Sequence, residues 1–357
     1  MIAQAPEDYP VDERPSRNRR LVLFLLIGSL SMFFTEVFAG SAPLWFISWW
    51  GLLVTFPLYL VHLLFFLNIA MRTKRTSIGH LYLFGVFIAL YESWITKVLW
   101  SGYPGTEGPL MGTFLGIASL EFSVLVFFWH PFFAFVLPIL TFEALAISAN
   151  SHGRSEEKMF GNHGASLKKD PKLLGFLTFA GIVGASFLSA NTGSDAVVAG
   201  LTVLGSVILI ALLYQTARIN PNDFSIHSLR LEKKGMTTAA IYLALLYAFT
   251  LPFLQPDKIP DSPLPILTIG GFYVLLALLV RMSPPDKAPH KKTDAPAEPF
   301  SSKDFFEFCL LFLLLTTLFC VMPTVGRLVM IVLNSVLFIV GPFVFIIMVA
   351  RLLMGRH

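Results

Sequence analysis

Residues 114–148 read FLGIASLEFSVLVFFWHPFFAFVLPILTFEALAIS. Glu121, His130 and Glu143 are the only ionisable side chains in this apolar run. A bilayer crossing needs about 20 such residues, so the stretch is long enough to span and too long for one perpendicular pass. It also carries Trp129-His130-Pro131 and, later, Pro138. Pro131 removes a backbone donor, so a single tilted helix kinked or broken at that residue is expected. The alternative is a half-span followed by a full one. Either arrangement puts irregular backbone at membrane depth, where only protein or a water-filled cavity tolerates it.

The same reading extends outward along the chain. Hydrophobic residues make up 55% and charged residues 13% of the sequence, against about 25% charged in soluble domains. Mean hydropathy is +0.71. Ten apolar runs bounded by charge, Pro or Gly read as spans at approximately 21–40, 46–70, 81–100, 114–148, 173–190, 196–215, 236–254, 264–280, 305–322 and 328–350. The first resembles a signal peptide, with its basic flank and Val37-Phe38-Ala39, but is read as a retained span. The fold expected is an all-α integral membrane protein.

Orientation follows from the bases. Of the 26 Lys and Arg, all but Lys97, Lys258 and Arg327 fall in alternate connections or the tails that continue the alternation. This is the positive-inside pattern, and it predicts that both termini are cytoplasmic. The organisation expected is a tail over 1–20, a charged membrane half over 21–148, a cytoplasmic loop over 149–172, an apolar membrane half over 173–350 and a tail over 351–357. The acidic segment before Arg14 reads as disordered, and 149–172 and 282–304 read as flexible linkers. The location expected is the plasma (inner) membrane of a prokaryote. The basic loops lack the aromatic interleaving of nucleic-acid binders, so lipids are the expected partners, with room for a membrane-protein partner or a homo-oligomer.

Ionisable residues inside the spans are unevenly placed. Glu36, His62, Glu92, Lys97, Glu121, His130 and Glu143 all lie before residue 150. Each such charge costs about 2.5–3.5 kcal/mol in hydrocarbon, so a cluster of them signals a site. Counting along the spans puts Glu36, Glu92, Lys97 and Glu121 in the outer half of the bilayer, on three helices. His130 is near the middle, and Glu143 and His62 lie towards the cytoplasm. Glu92 and Lys97, five apart, do not share a helical face. Lys97 is therefore expected to pair with Glu36 or Glu121, leaving a surplus carboxylate able to hold a proton. The competing reading is that buried ion pairs merely hold helices in register.

All six tryptophans also precede residue 130. Tyr91, Trp94, Trp100 and Tyr103 are expected to wall an outer vestibule, which the Gly/Pro-rich segment 101–109 would cap. Glycines 175, 181, 184, 200, 205, 270 and 271 read as close helix-packing surfaces. Cys309 and Cys320 lie on one predicted helix, about 16 Å apart, and so cannot bridge each other. The zinc-protease helix, the G-x-S-x-G elbow, the phosphate-binding lysine loop and the dinucleotide fingerprint are all missing, so no cofactor is indicated. A metal held by Glu92, Glu121 and His130 is disfavoured, because the last two lie on opposite sides of a straight helix. The function expected is a transporter-like protein with a polar intramembrane site, possible proton coupling included. An embedded enzyme acting on lipid-like substrates and a non-catalytic subunit of a membrane complex are the alternatives.

Overall fold

The computed structural model describes residues 15–150, 155–286, 296 and 298–355. The acidic lead before Arg14, residues 151–154, the Lys291-Lys292 part of the 282–304 connection and the last two residues of the tail lie outside the described residues. Ten helices run in order: α1 (Arg17–Val37), α2 (Gly51–Arg72), α3 (Ile78–Ala89), α4 (Ser119–Ala149), α5 (Pro171–Asn191), α6 (Ala196–Ala217), α7 (Lys233–Phe253), α8 (Pro263–Met282), α9 (Ser302–Val321) and α10 (Pro323–Leu353). All but α3 are long and apolar enough to cross a membrane, which makes nine among the described residues. The span expected over 81–100 is α3 plus two single turns, Tyr91–Trp94 and Val98–Ser101. The protein is a multi-pass, all-α integral membrane protein.

Local sequence sets several helix starts. Asp170 and Asp195 accept from the first free amides of α5 and α6. Ser301 and Asp304 form a capping box on α9. Proline leads α5, α8 and α10, where its missing N–H costs nothing.

The irregularity of the fourth span takes a form other than a break. Residues Phe122–Val136 of α4 form wide π-type turns, and Pro131 sits inside them without interrupting the helix. Such i→i+5 turns climb less per residue than the 1.5 Å of an α-helix, so more residues fit within one crossing. Gly85 of α3 lets the two helices meet at this point: a Cβ there would lie 2.5 Å from the Pro131 Cα.

Burial inverts the usual picture of polar outside and apolar inside. The most apolar window of α4 is 83% buried, while those of α7, α8 and α10 are each 17% buried. α4 and α1, the latter 67% buried, therefore form the centre, and α7, α8 and α10 lie at the periphery. Only some of the later glycines serve packing. Gly184 abuts Phe38, Gly205 abuts Phe46 and Gly181 abuts Phe308. Gly175, Gly200, Gly270 and Gly271 face open space, which corrects the expectation of packing surfaces there.

The connections gather on two opposite ends. At one end, Arg20 donates to the Arg230 carbonyl, Arg72 to that of Leu231 and Arg75 to that of Ser283, while Lys158 donates to those of Pro221 and Asn222. This is the basic face. At the other end, Asn191 donates to the Ala39 carbonyl and Thr268 to that of Leu115.

Candidate functional site

Three helix irregularities meet in the centre. The last turn of α1, Phe33–Val37, is wide and carries Glu36. The chain after α3 turns at Leu90 and restarts as Tyr91–Trp94, which presents Tyr91 and Glu92. The wide turns of α4 present His130. Tyr59 of α2, 1% exposed, lies between them.

These side chains form one hydrogen-bonded chain. Ser41 and Tyr59 each donate to a different oxygen of Glu36, both at 2.6 Å. The Tyr59 and Tyr91 hydroxyls are 2.5 Å apart. His130 Nε2 lies 3.1 Å from the Tyr91 hydroxyl, 3.4 Å from that of Tyr59 and 3.2 Å from Glu92 Oε1. Thr96 hydrogen-bonds the other Glu92 oxygen. On the far side of the ring, His130 Nδ1 faces the Leu125 carbonyl at 3.2 Å.

That last contact constrains the protons. A carbonyl can only accept, so Nδ1 carries hydrogen. In a neutral ring Nε2 would then present a lone pair to a carboxylate oxygen, which is repulsive. The Tyr91 hydroxyl, closer to Nε2 at 3.1 Å, can donate to that lone pair, and a proton on Glu92 or on the ring would also satisfy the contact with Glu92. The two tyrosines link His130 to Glu36 without a gap.

A second branch borders the first. His62 Nδ1 donates to the Leu58 carbonyl at 2.8 Å, which leaves Nε2 to accept from the Tyr247 hydroxyl at 3.0 Å. Tyr273 lies within hydrogen-bonding reach of Tyr247 and Trp94. The His62 and Tyr91 rings are 5.8 Å apart.

The remaining residues singled out from sequence behave differently. Lys97 pairs with neither Glu36 nor Glu121. It is fully buried, its backbone is left-handed at φ 60°, and its ammonium donates to the carbonyls of Ile95, Thr250 and Leu254. The reason is local: the turn at 95–97 throws the side chain towards the end of α7, where the Thr250 carbonyl accepts both from the Leu254 amide and from the ammonium. Glu121 is fully buried and accepts from the Leu110 amide at 3.2 Å, with its second oxygen unpartnered among the described residues. It stands outside the chain of hydrogen bonds. Trp94 and Trp100 pack edge to face at 5.3 Å. The Trp100 indole N–H and the Tyr103 hydroxyl are buried without partners among the described residues.

Tyr59, Ser41 and Tyr247 escaped notice in the sequence because hydroxyls carry no charge to flag. The signal available was Tyr59 three residues before His62, which places both on one face of α2.

A family model for an uncharacterized membrane protein family matches residues 25–356. A protein of Archaeoglobus fulgidus described as "Uncharacterized protein" is 32% identical over 296 residues, covering 82% of this chain and 86% of the relative. No solved structure matches the chain. With almost all of α1 through α10 inside the matched region, the chain belongs to this uncharacterized membrane protein family.

Proposed function

We propose that the protein is a transporter-like membrane protein whose central polar site carries a proton, with Glu92 and His130 as the proton-holding pair. Tyr91 and Tyr59 relay it, and Glu36 is the second acceptor. The observation that supports this reading is the unbroken chain of hydrogen-bonding groups from Glu92 and His130 through Tyr91 and Tyr59 to Glu36. Trp94, Trp100, Tyr103 and Glu121 form the approach to the site. The reading also takes the basic face as cytoplasmic, in the plasma membrane of a prokaryote. The charge pattern supports that assignment, and so does the archaeal relative. Burial of Lys97 against three carbonyls weighs against the enzyme alternative, in which it would hold a substrate phosphate.

The test is proton movement in vesicles. Purified protein is reconstituted with a pH-sensitive dye inside, and a pH step is imposed with a potassium ionophore present to dissipate charge. Wild-type protein should dissipate the step faster than empty vesicles. Glu92→Gln and His130→Phe should each slow that rate at least about a hundredfold, the scale of losing a positioned proton-transfer group. Tyr59→Phe should slow it while leaving the Glu92–His130 pair intact. Wild-type rates equal to those of empty vesicles, or unchanged rates in all three folded variants, would refute the proposal.

A further inference from the structure

The basic face holds a second glutamate–histidine pair, assembled from parts that looked unrelated in sequence. Glu143, near the end of α4, and His163, in the connection to α5, are both fully buried. His163 Nδ1 lies 2.7 Å from Glu143 Oε2, and His163 Nε2 lies 2.7 Å from the Thr76 carbonyl. Both ring nitrogens thus face acceptors. A neutral imidazole has one N–H and can satisfy only one of them. The docked geometry requires one further proton, either on the ring or on Glu143 with the remaining ring N–H turned to Thr76.

The connection that carries His163 is fastened to its surroundings. Glu143 Oε1 accepts from the Phe160 amide at 2.8 Å. The Leu167 carbonyl accepts from Phe300, and the Lys169 amide donates to the Glu298 carbonyl. Met159, Phe160 and Leu167 are buried. This ordered, inward-folded segment corrects the expectation of a flexible linker over the described part of 149–172.

We infer that Glu143 and His163 form a proton-binding site on the basic face, and that its proton locks the 158–167 segment onto the end of α4. Loss of the proton breaks an N–H or O–H bond, passes the proton to water at that face and takes the pair from net neutral to −1. The segment then has an acceptor facing an acceptor and releases. The groups around the site are Glu143 from α4, Asp286 from the segment after α8 and its partner His80 from α3, and His227 and Arg230 from the connection before α7. Burial pushes the His163 imidazolium down, but the charge and hydrogen bond of Glu143 outweigh it, so the net shift is upward. With the docked value above the released one, docking is fully supported below the ordinary histidine value near 6.5 and weakens as pH rises through the docked value. The pair stands on its own geometry, whether or not Glu92 and His130 carry protons.

Hydrogen–deuterium exchange of the full-length protein in lipid nanodiscs tests this, with rates corrected for the intrinsic pH dependence of exchange. Amides over 158–167 should exchange at least tenfold faster above the transition than below it, while α5 amides stay constant. His163→Gln should abolish the step, because glutamine does not titrate. Glu143→Gln, which keeps an acceptor for Phe160 and offers an amide N–H to the neutral ring, should remove the step and keep the segment docked at high pH. A flat wild-type profile overturns the inference. So does a step that persists unmoved in the variants that fold, and if His163→Gln fails to fold, Glu143→Gln and the wild-type profile still decide.

Discussion

Lys97 shows how a single residue can look like chemistry in sequence and turn out to be architecture. Its position among carboxylates suggested an ion pair, yet a left-handed turn sends its ammonium to three backbone carbonyls. Charge alone could not reveal this, because the destination depends on where α7 ends in space. Removing the ammonium takes a donor from the Ile95 and Leu254 carbonyls, while that of Thr250 keeps the Leu254 amide. Lys97→Met is expected to cost about 1–3 kcal/mol, the penalty for unsatisfied buried acceptors, read as a lowered unfolding temperature in detergent. If proton movement in vesicles survives this substitution once the protein is folded, Lys97 is confirmed as structural. Glu92 and His130 were legible as individual ionisable residues inside the spans. Their partnership was not, since it depends on wide turns that place His130 opposite Glu92.

At the scale of elements, the meeting of α3 and α4 is a tightly specified contact. Gly85 is the residue that permits it, and an added methyl would lie 2.5 Å from the Pro131 Cα. Gly85→Ala should therefore destabilise by about 1–3 kcal/mol. Gly270→Ala is the matched control: nothing lies within 4 Å of the added carbon, so it should be neutral or stabilise by up to about 1 kcal/mol through helix propensity. Thermal unfolding of the two variants side by side checks both, and equal effects would contradict the packing described. Helix existence was readable from apolar run length, because hydrocarbon thickness dictates it. The interruption of the third span at Leu90 and Ile95–Lys97 was not, because no Pro or Gly marks it; hydrogen bonds from Thr96 and Lys97 to the Glu92 and Ile95 carbonyls compensate for the irregular backbone.

For the whole molecule, the basic face acts as a fastening between distant parts of the chain. Asp286, after α8, accepts from the Thr76 and Ser77 amides at the start of α3 at 2.5 and 2.8 Å, and from His80 at 3.0 Å. It thus caps α3 from another helix. Burial pushes its carboxyl up, but the His80 hydrogen bond and charge and the two amides prevail and hold it down at about 2. A depressed acid contributes stability above its ordinary value near 3.9 and loses it as pH falls towards about 2. Asp286→Ala should raise amide exchange over 76–81 at neutral pH, whereas the wild type should show that increase only on acidification below about 4. Identical exchange in both at neutral pH would rule out the cap. The placing of late, apolar helices at the periphery also has a consequence for biogenesis. α1 to α4 leave the ribosome first, and α5 to α10 follow over roughly 10–40 seconds at ordinary elongation rates. During that interval Glu36, Glu92, Glu121 and His130 face the bilayer without the helices that finally enclose them. The nascent chain therefore depends on the insertion machinery, or on early pairing of α1 with α4, to shelter those groups until its second half has been made.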